Sequence, residues 1–394
     1  MNKCILDKAV QDYVNANLNA DINQIALAKS PFENISPAEL ANQITAKKKS
    51  EKKLPSWFGT TGIYYPLALS IEQTSSEITA KYKSRLVKGK SLVDITGGFG
   101  VDSFYFAKYI NHVTHCEINP ELSAISKHNA SIFGANNIDF IAADGLDFIN
   151  TSNQTFDTIY VDPARRAEKG KVFMLKDCTP NVVSNLNKLL SKAQRIIVKT
   201  APLLDISAGL LELANVSEIH IISVKNECKE LLWIIDKDYN EDIKIVAVTI
   251  NDQEKEFGFF KTQAAVPANF AENISLGNYL YEPDAALLKS GAFNLIAMHY
   301  NLIKLQHQTQ LYISETINNS FPGRILKIEN IISGSDLKTE KILIGNVIVR
   351  NYPAKAEDLI KKYKIKSGND KFLIFTKNYQ NQNIIIKASI IQYY

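Results

Sequence analysis

The chain of 394 residues has only four cysteines, Cys4, Cys116, Cys178 and Cys228, and none stands at a paired or metal-ligand spacing. That pattern excludes a disulfide framework and reads as reduced thiols in the cytoplasm. The six histidines form no His-x-x-x-His pair, which argues against a bound metal. Apolar runs such as Leu231–Ile235 are far too short to cross a bilayer, so no membrane span is expected. The opening residues, Met1-Asn2-Lys3-Cys4-Ile5-Leu6-Asp7-Lys8, break into charge too early for a signal peptide. Internal repeats and low-complexity tracts are missing as well. What remains is a soluble globular composition, 45% hydrophobic and 22% charged, on a length that suggests two or three domains.

Excess charge of either sign is small overall, at +4, but it is unevenly placed. Residues 321–394 carry thirteen Lys and Arg against six Asp and Glu, so the rest of the chain is slightly acidic. A basic C-terminal unit suits a polyanion such as nucleic acid, and equally a solvated lysine-rich surface.

Residues 1 to 84 read as helical, and Ser36-Pro37-Ala38-Glu39 has the form of a capping box with proline at the first helical position. A further helical pattern covers Ser70 to Leu86. From Ser91 the pattern alternates. Short β-branched strands are expected at Leu92–Thr96, Val113–Ile118, Ile138–Ala142, Thr158–Val161 and Arg195–Thr200. Helices lie between them at Val101–Tyr109, Pro120–Phe133 and Thr179–Ser191. Strands separated by helices imply right-handed crossovers and a parallel sheet. Glu218–Val224 and Glu230–Ile235 are too close for a crossover and suit an antiparallel hairpin. The fold class expected is therefore α/β, a Rossmann-like sheet of parallel strands closed by a hairpin. Ile243–Ile250 and Phe257–Phe260 suit a further pair of strands. Pro283 to His307 reads as a long helical region, and 321–394 as a small α+β unit.

In an open α/β sheet ligands lie beyond the carboxyl ends of the strands. There the run Asp94-Ile95-Thr96-Gly97-Gly98-Phe99-Gly100-Val101 places an acid and a glycine-dense turn between a strand and a helix. Glu117 ends the second strand, and Asp144-Gly145 follows the third. In a nucleoside site, Asp94 would hold an ammonium or a bridging water, Glu117 the ribose hydroxyls, and Asp144 an adenine amino group. Such charge-assisted bonds contribute about 1.5–3 kcal/mol each. The plainer reading is that each acid caps a helix or solvates a turn. A dinucleotide fingerprint would need glycine three residues after Gly100, where Ser103 stands. The loop of Thr96, Gly97, Gly98 and Gly100 suits the amino-acid end of S-adenosylmethionine, which has no pyrophosphate. That cofactor is expected, held by Asp94, Thr96, Gly97, Gly98, Gly100, Glu117, Asp144 and Gly145.

The fourth strand runs into Asp162-Pro163-Ala164-Arg165-Arg166. Methyl transfer needs position and an acceptor for the hydrogens of the nucleophile. Asp162, held by Pro163, can accept from an exocyclic amine. Amino methyltransferases often place an aromatic just after such a pair, and here Ala164 and Arg165 stand instead. Arg165 and Arg166 can bind a substrate phosphate, or pair with a carboxylate such as Glu168. Lys199 and Thr200, at the end of the fifth strand, are candidates to line the acceptor pocket.

These residues resemble bacterial class I methyltransferases with a ferredoxin-like segment and a C-terminal THUMP-like domain. The resemblance rests on Leu69–Glu77, Asp94–Asp102, Asp162–Arg166, Val224–Leu231, Tyr281–Ala286 and Phe321-Pro322-Gly323-Arg324. It implies a helical region at 1–84, a methyltransferase domain at 85–275, a ferredoxin-like linking segment at 276–320 and a THUMP-like domain at 321–394. It also implies S-adenosylmethionine as cofactor and RNA, either tRNA or rRNA, as partner. The alternatives are an RNA-binding module with little catalysis, or methylation of a protein or small molecule.

Overall fold

A computed structural model describes residues 1–165, 174–339 and 342–394. The chain forms two compact units, Met1–Val216 with Trp233–Asn240, and Ser217–Leu232 with Glu241–Tyr394.

The first unit begins with six helices: α1 (Lys8–Ala16), α2 (Ile22–Leu27), α3 (Pro37–Lys53), α4 (Pro55–Gly59), α5 (Ala68–Gln73) and α6 (Glu77–Lys83). The capping box at Ser36 forms as expected: Ser36 Oγ accepts from Glu39 N, and Glu39 Oε2 accepts from Ser36 N. The helix expected over Ser70–Leu86 is broken. Thr74 is extended, and Ser76 Oγ caps a new helix by accepting from Thr79 N. A serine's hydroxyl competes for backbone hydrogens, so it starts helices more readily than it continues them.

Five parallel strands follow: β1 (Ser91–Asp94), β2 (His112–Cys116), β3 (Ile138–Ile141), β4 (Phe156–Val161) and β5 (Ala193–Thr200). Their spatial order is β3-β2-β1-β4-β5. Between them run α7 (Val101–Phe106), α8 (Pro120–Ile132), α9 (Gly145–Thr151) and α10 (Val182–Lys192), and α11 (Ile206–Glu212) follows β5. Because β1 lies between β2 and β4, the strand order reverses at its carboxyl end, the place where ligands bind in open α/β sheets. The N-terminal helices share one apolar core with α7 and α8, in which Leu40, Trp57 and Tyr65 join Phe99, Phe104, Tyr105 and Ile125. The consecutive aromatics Phe104, Tyr105 and Phe106 are all buried.

A hairpin closes the parallel set. Strands β6 (Val216–Val224) and β7 (Glu227–Asp236) are joined by Lys225 and Asn226, both at positive φ, the backbone of a tight two-residue turn. The end of β7, Trp233–Asp236, belongs to the first unit, where Trp233 Nε1 donates to Thr200 Oγ1 at 3.0 Å.

In the second unit β8 (Lys244–Ile250) pairs in parallel with β6, and β9 (Glu254–Phe260) pairs antiparallel with β8. A seven-stranded sheet follows, built from β10 (Tyr279–Pro283), β11 (Ile303–Gln306), β12 (Thr309–Ser314), β13 (Gly323–Ile332), β14 (Asn346–Val349), β15 (Lys371–Lys377) and β16 (Asn383–Gln392), in the order β11-β12-β10-β13-β16-β15-β14. Helices α12 (Ala285–Ser290), α13 (Phe293–His299), α14 (Gly334–Thr339) and α15 (Ala356–Tyr363) accompany it. The long helix expected over Pro283–His307 is instead two short helices and a strand. Gly291 adopts φ 72°, which ends the first helix, and Ile303 begins β11. A left-handed glycine satisfies the last carbonyls and turns the chain out of the helix.

Candidate cofactor and acceptor site

The site is built entirely in the first unit, at the carboxyl tips of β1, β2, β4 and β5. Asp94 ends β1 and is buried. Its Oδ2 accepts from Ser103 Oγ at 2.6 Å and its Oδ1 from Thr96 N at 3.0 Å. These partners carry no charge. Burial pushes the Asp94 carboxyl up to about 7, and the nearby acids Asp102 and Asp162 add to the rise.

The turn after Asp94 depends on glycine. Gly98 and Gly100 have φ of 54° and 78°, conformations that side chains rarely adopt. Gly97 is required for space: a Cβ there would lie 2.3 Å from His115 Nε2. His115 is fully buried, and burial pulls its imidazole down to about 4, so it stays neutral beneath the loop. Gly145 is equally constrained, since a Cβ would lie 2.2 Å from the Ile95 carbonyl oxygen. The start of α9 therefore packs directly on the backbone that leaves β1.

The other acids are placed at the same edge. Glu117 Oε2 accepts from Gly98 N and its Oε1 from Asn119 N, both at 2.8 Å, which braces the glycine loop against the tip of β2. Asp144 Oδ1 accepts from Leu146 N and Asp147 N, so one of its oxygens caps α9. Thr96 joins two strand tips, because its Oγ1 accepts from Asp162 N at 2.7 Å. Asp162 Oδ2 in turn accepts from Lys199 Nζ at 2.6 Å across the adjacent ends of β4 and β5. Pro163, next in the chain, is buried. The backbone of Ala164 and Arg165 pairs with Thr179 and Cys178. Arg166 and the side chain of Arg165 lie outside the described residues.

Sequence reasoning overlooked a second layer. Lys83, fully buried at the end of α6, reaches Asp102 in the first turn of α7, with Nζ 2.8 Å from Oδ1 and 3.0 Å from Oδ2. Ser75 Oγ and Tyr160 OH also donate to Asp102, at 2.7 and 2.9 Å. Burial opposes ionisation of Asp102, but the charge and hydrogen bonds of Lys83 outweigh it and leave the carboxyl below its ordinary range. Ser75 is thus committed to Asp102. Ile118, directly after Glu117, is a large apolar side chain left 69% exposed beside the acid. Its only sequence signal is adjacency to the acid.

The donor set fits a nucleoside bearing a positive charge. Carboxylates stand at successive strand tips, and the two lysines described nearby, Lys83 and Lys199, are each engaged with an aspartate. A pyrophosphate would meet acids where it needs cations. Among the described residues no group of three or more His, Cys, Asp or Glu side chains could hold a metal. Among them, too, no helix is long and apolar enough to cross a membrane.

Residues 89–250 match the family described as RNA cap guanine-N2 methyltransferase. Residues 279–322 match a ferredoxin-like domain, and residues 323–389 a THUMP domain-like family. A crystal structure of a Porphyromonas gingivalis W83 protein, inferred to be a methyltransferase, is similar over 99% of both chains, at 28% identity and a TM-score of 0.87. Two smaller structures overlap 42% of this chain. An rRNA methylase from Streptococcus thermophilus does so at 13% identity over 98% of its own length, with a TM-score of 0.31. The M. capricolum TrmK bound to S-adenosylhomocysteine does so at 15% identity over 70% of its length, with the same TM-score. No curated protein sequence matches significantly.

Proposed function

The chain is an S-adenosylmethionine-dependent methyltransferase that carries ferredoxin-like and THUMP-like domains after its catalytic domain, and from that premise we propose that it methylates a base in tRNA or ribosomal RNA. Asp94, Thr96, Gly97, Gly98, Gly100, Glu117, Asp144 and Gly145 hold the cofactor. Asp162 and Pro163 position the acceptor, and Arg165 and Arg166 bind its phosphate. When bound, the cofactor supplies a methyl carbon made electrophilic by its sulfonium.

The observation that carries this reading is the fixing of Asp162 from two sides, by Thr96 Oγ1 on its backbone and Lys199 Nζ on its carboxylate. A carboxylate held this way, one loop away from the buried Asp94, can accept a hydrogen from an amine or ring nitrogen without first reorganising. Pro163 removes a backbone freedom at the same point. The aromatic that often follows such an acceptor motif is replaced by Ala164, so a flipped base would stack on a ring from elsewhere or be held by its edges. The basic excess of residues 321–394 supports RNA as the polyanion.

Tritium transfer from labelled cofactor into RNA of a strain lacking the gene tests the reading, with nucleoside mass spectrometry identifying the product. Asp162→Ala is expected to lower transfer at least about a hundredfold, the scale of a lost acid–base or positioning group, with adenosylhomocysteine affinity unchanged by calorimetry. Labelling by Asp162→Ala at the wild-type rate would show that another residue positions the acceptor. Failure of wild-type protein to label any RNA would favour a protein or small-molecule acceptor.

A further inference from the structure

Two turns of the second unit are made almost wholly of amides and rings. Gln306-His307-Gln308-Thr309-Gln310 spans the turn between β11 and β12, and Asn378-Tyr379-Gln380-Asn381-Gln382 the turn between β15 and β16. Neither contains a carboxylate. The fold brings them together with a third segment. The rings of Phe270 and His307 lie 3.9 Å apart, and Tyr379 lies 5.8 Å from the first and 5.9 Å from the second. All three planes are within 30–37° of one another.

The arrangement is braced. Residues 269–271 pair with β11, Lys304 N donating to the Asn269 carbonyl and Ala271 N to the Lys304 carbonyl. Gln306 Nε2 donates to Asn381 Oδ1 at 2.8 Å and ties one turn to the other. Asn351 Nδ2 donates to Gln306 Oε1 and Thr309 Oγ1, both at 3.2 Å. Lys304 Nζ sits 5.9 Å from the centre of the Phe270 ring. Yet the cluster is not sealed: His307 is exposed, and Tyr379 is 38% exposed. Rings that served only to staple turns would be expected to bury more of their surface, since burial is what stabilises them.

We propose that Phe270, His307 and Tyr379 form a stacking platform for unpaired RNA bases. The inference rests on RNA being the substrate of the catalytic unit and names where this chain grips it. A rigid aromatic cluster offers stacking surface at low entropic cost, and every base has a π-face to place on it. The surrounding amides can donate to and accept from base edges, and their neutrality avoids repelling phosphates. The basic surplus of residues 321–394 supplies the long-range attraction.

Fluorescence anisotropy on the full-length protein with labelled single-stranded oligoadenylate tests the platform. His307→Ala and Tyr379→Ala are each expected to weaken binding about tenfold, within the range of one lost base stack. Tyr379→Phe, which keeps the ring, stays near wild type. The slope of affinity against salt stays the same in all variants, because no phosphate contact is removed. Thermal unfolding checks that each variant is folded, and His307→Ala, at an exposed turn, decides the matter if Tyr379→Ala is not. The proposal is overturned if the wild type does not bind the strand, if folded alanine variants bind it equally well, or if the same RNA as a duplex binds more tightly. Adenosylhomocysteine uptake, measured on the same samples, separates the two readings. Its absence sinks the methyltransferase assignment, whereas lost strand binding with intact uptake sinks only the platform.

Discussion

Asp94 and Asp102 stand eight positions apart, on either side of the glycine loop, and both are buried, yet their environments drive them in opposite directions. Asp94 has hydroxyl and amide partners and rises to about 7. Asp102 has the Lys83 ammonium and falls below the ordinary carboxylate range. Burial is the largest influence on each and raises both. The difference is one cation delivered from the end of α6. The contrast assigns the two acids different work. Asp102 is a structural anion that ties the N-terminal helices to α7. Asp94 is a buried carboxyl raised to about 7, and on the proposed function it ionises when a positively charged ligand arrives.

Removing the cation breaks the comparison most severely. Lys83→Met leaves Asp102 buried without its partner and is expected to destabilise the first unit by about 3–5 kcal/mol, read by chemical denaturation. Lys83→Met with Asp102→Asn should recover part of that loss. A double variant no more stable than Lys83→Met alone would show that the pair is not what holds α6 to α7.

Asp94→Asn sharpens the contrast from the other side. The amide keeps a hydrogen-bonding shape but cannot become an anion. Adenosylhomocysteine should bind about ten- to a hundredfold more weakly, in keeping with about 1.5–3 kcal/mol for a hydrogen bond to a charged group. In the wild type, affinity should climb as pH rises through about 7 and level off above it, because the ligand's ammonium favours ionised Asp94. Calorimetry across that range should find no such climb in the variant.

Stability without ligand should move the opposite way. The carboxyl is raised in the folded state, so its stabilisation is complete below the unfolded value and is lost as pH rises through about 7. His115, lowered to about 4, opposes this on the acid side: its neutral burial costs progressively more as pH falls from the ordinary histidine range toward 4. Asp94→Asn should remove the decline near neutrality and leave the acid-side loss in place.

The smallest expected effect belongs to the other aspartate–lysine pair, partly buried at the same edge. Lys199→Met should reduce methyl transfer by about tenfold, as expected for a lost positioning contact worth ~1.4 kcal/mol. Lys199→Arg should restore most of it, and cofactor affinity should be unaltered in both. Equal loss in the arginine variant would mean that Lys199 does more than hold the Asp162 carboxylate.

Much of the catalytic unit was legible in the residues because its signals are local. The apolar run into Asp94, the glycines at positive φ, the acid at the end of β2 and Asp162-Pro163 each declare themselves within a few positions. Helix boundaries were harder. Ser75-Ser76 interrupts a pattern whose apolar spacing continues through it, and Gly291 hides a break that only its backbone conformation reveals. Nothing in the residues beside Lys83 marks it as buried.

Sequence alone determined the five parallel strands, the glycine turn and the acidic strand tips, because these follow from periodicity and from the conformations that individual residues allow. Tertiary structure decided which charges meet. Lys83 and Asp102 are 19 residues apart, Asp162 and Lys199 are 37 apart, and the rings of Phe270, His307 and Tyr379 come from three separate segments. Such pairings depend on how elements pack, and packing sets the local dielectric and the partner that together fix the charge of a buried group.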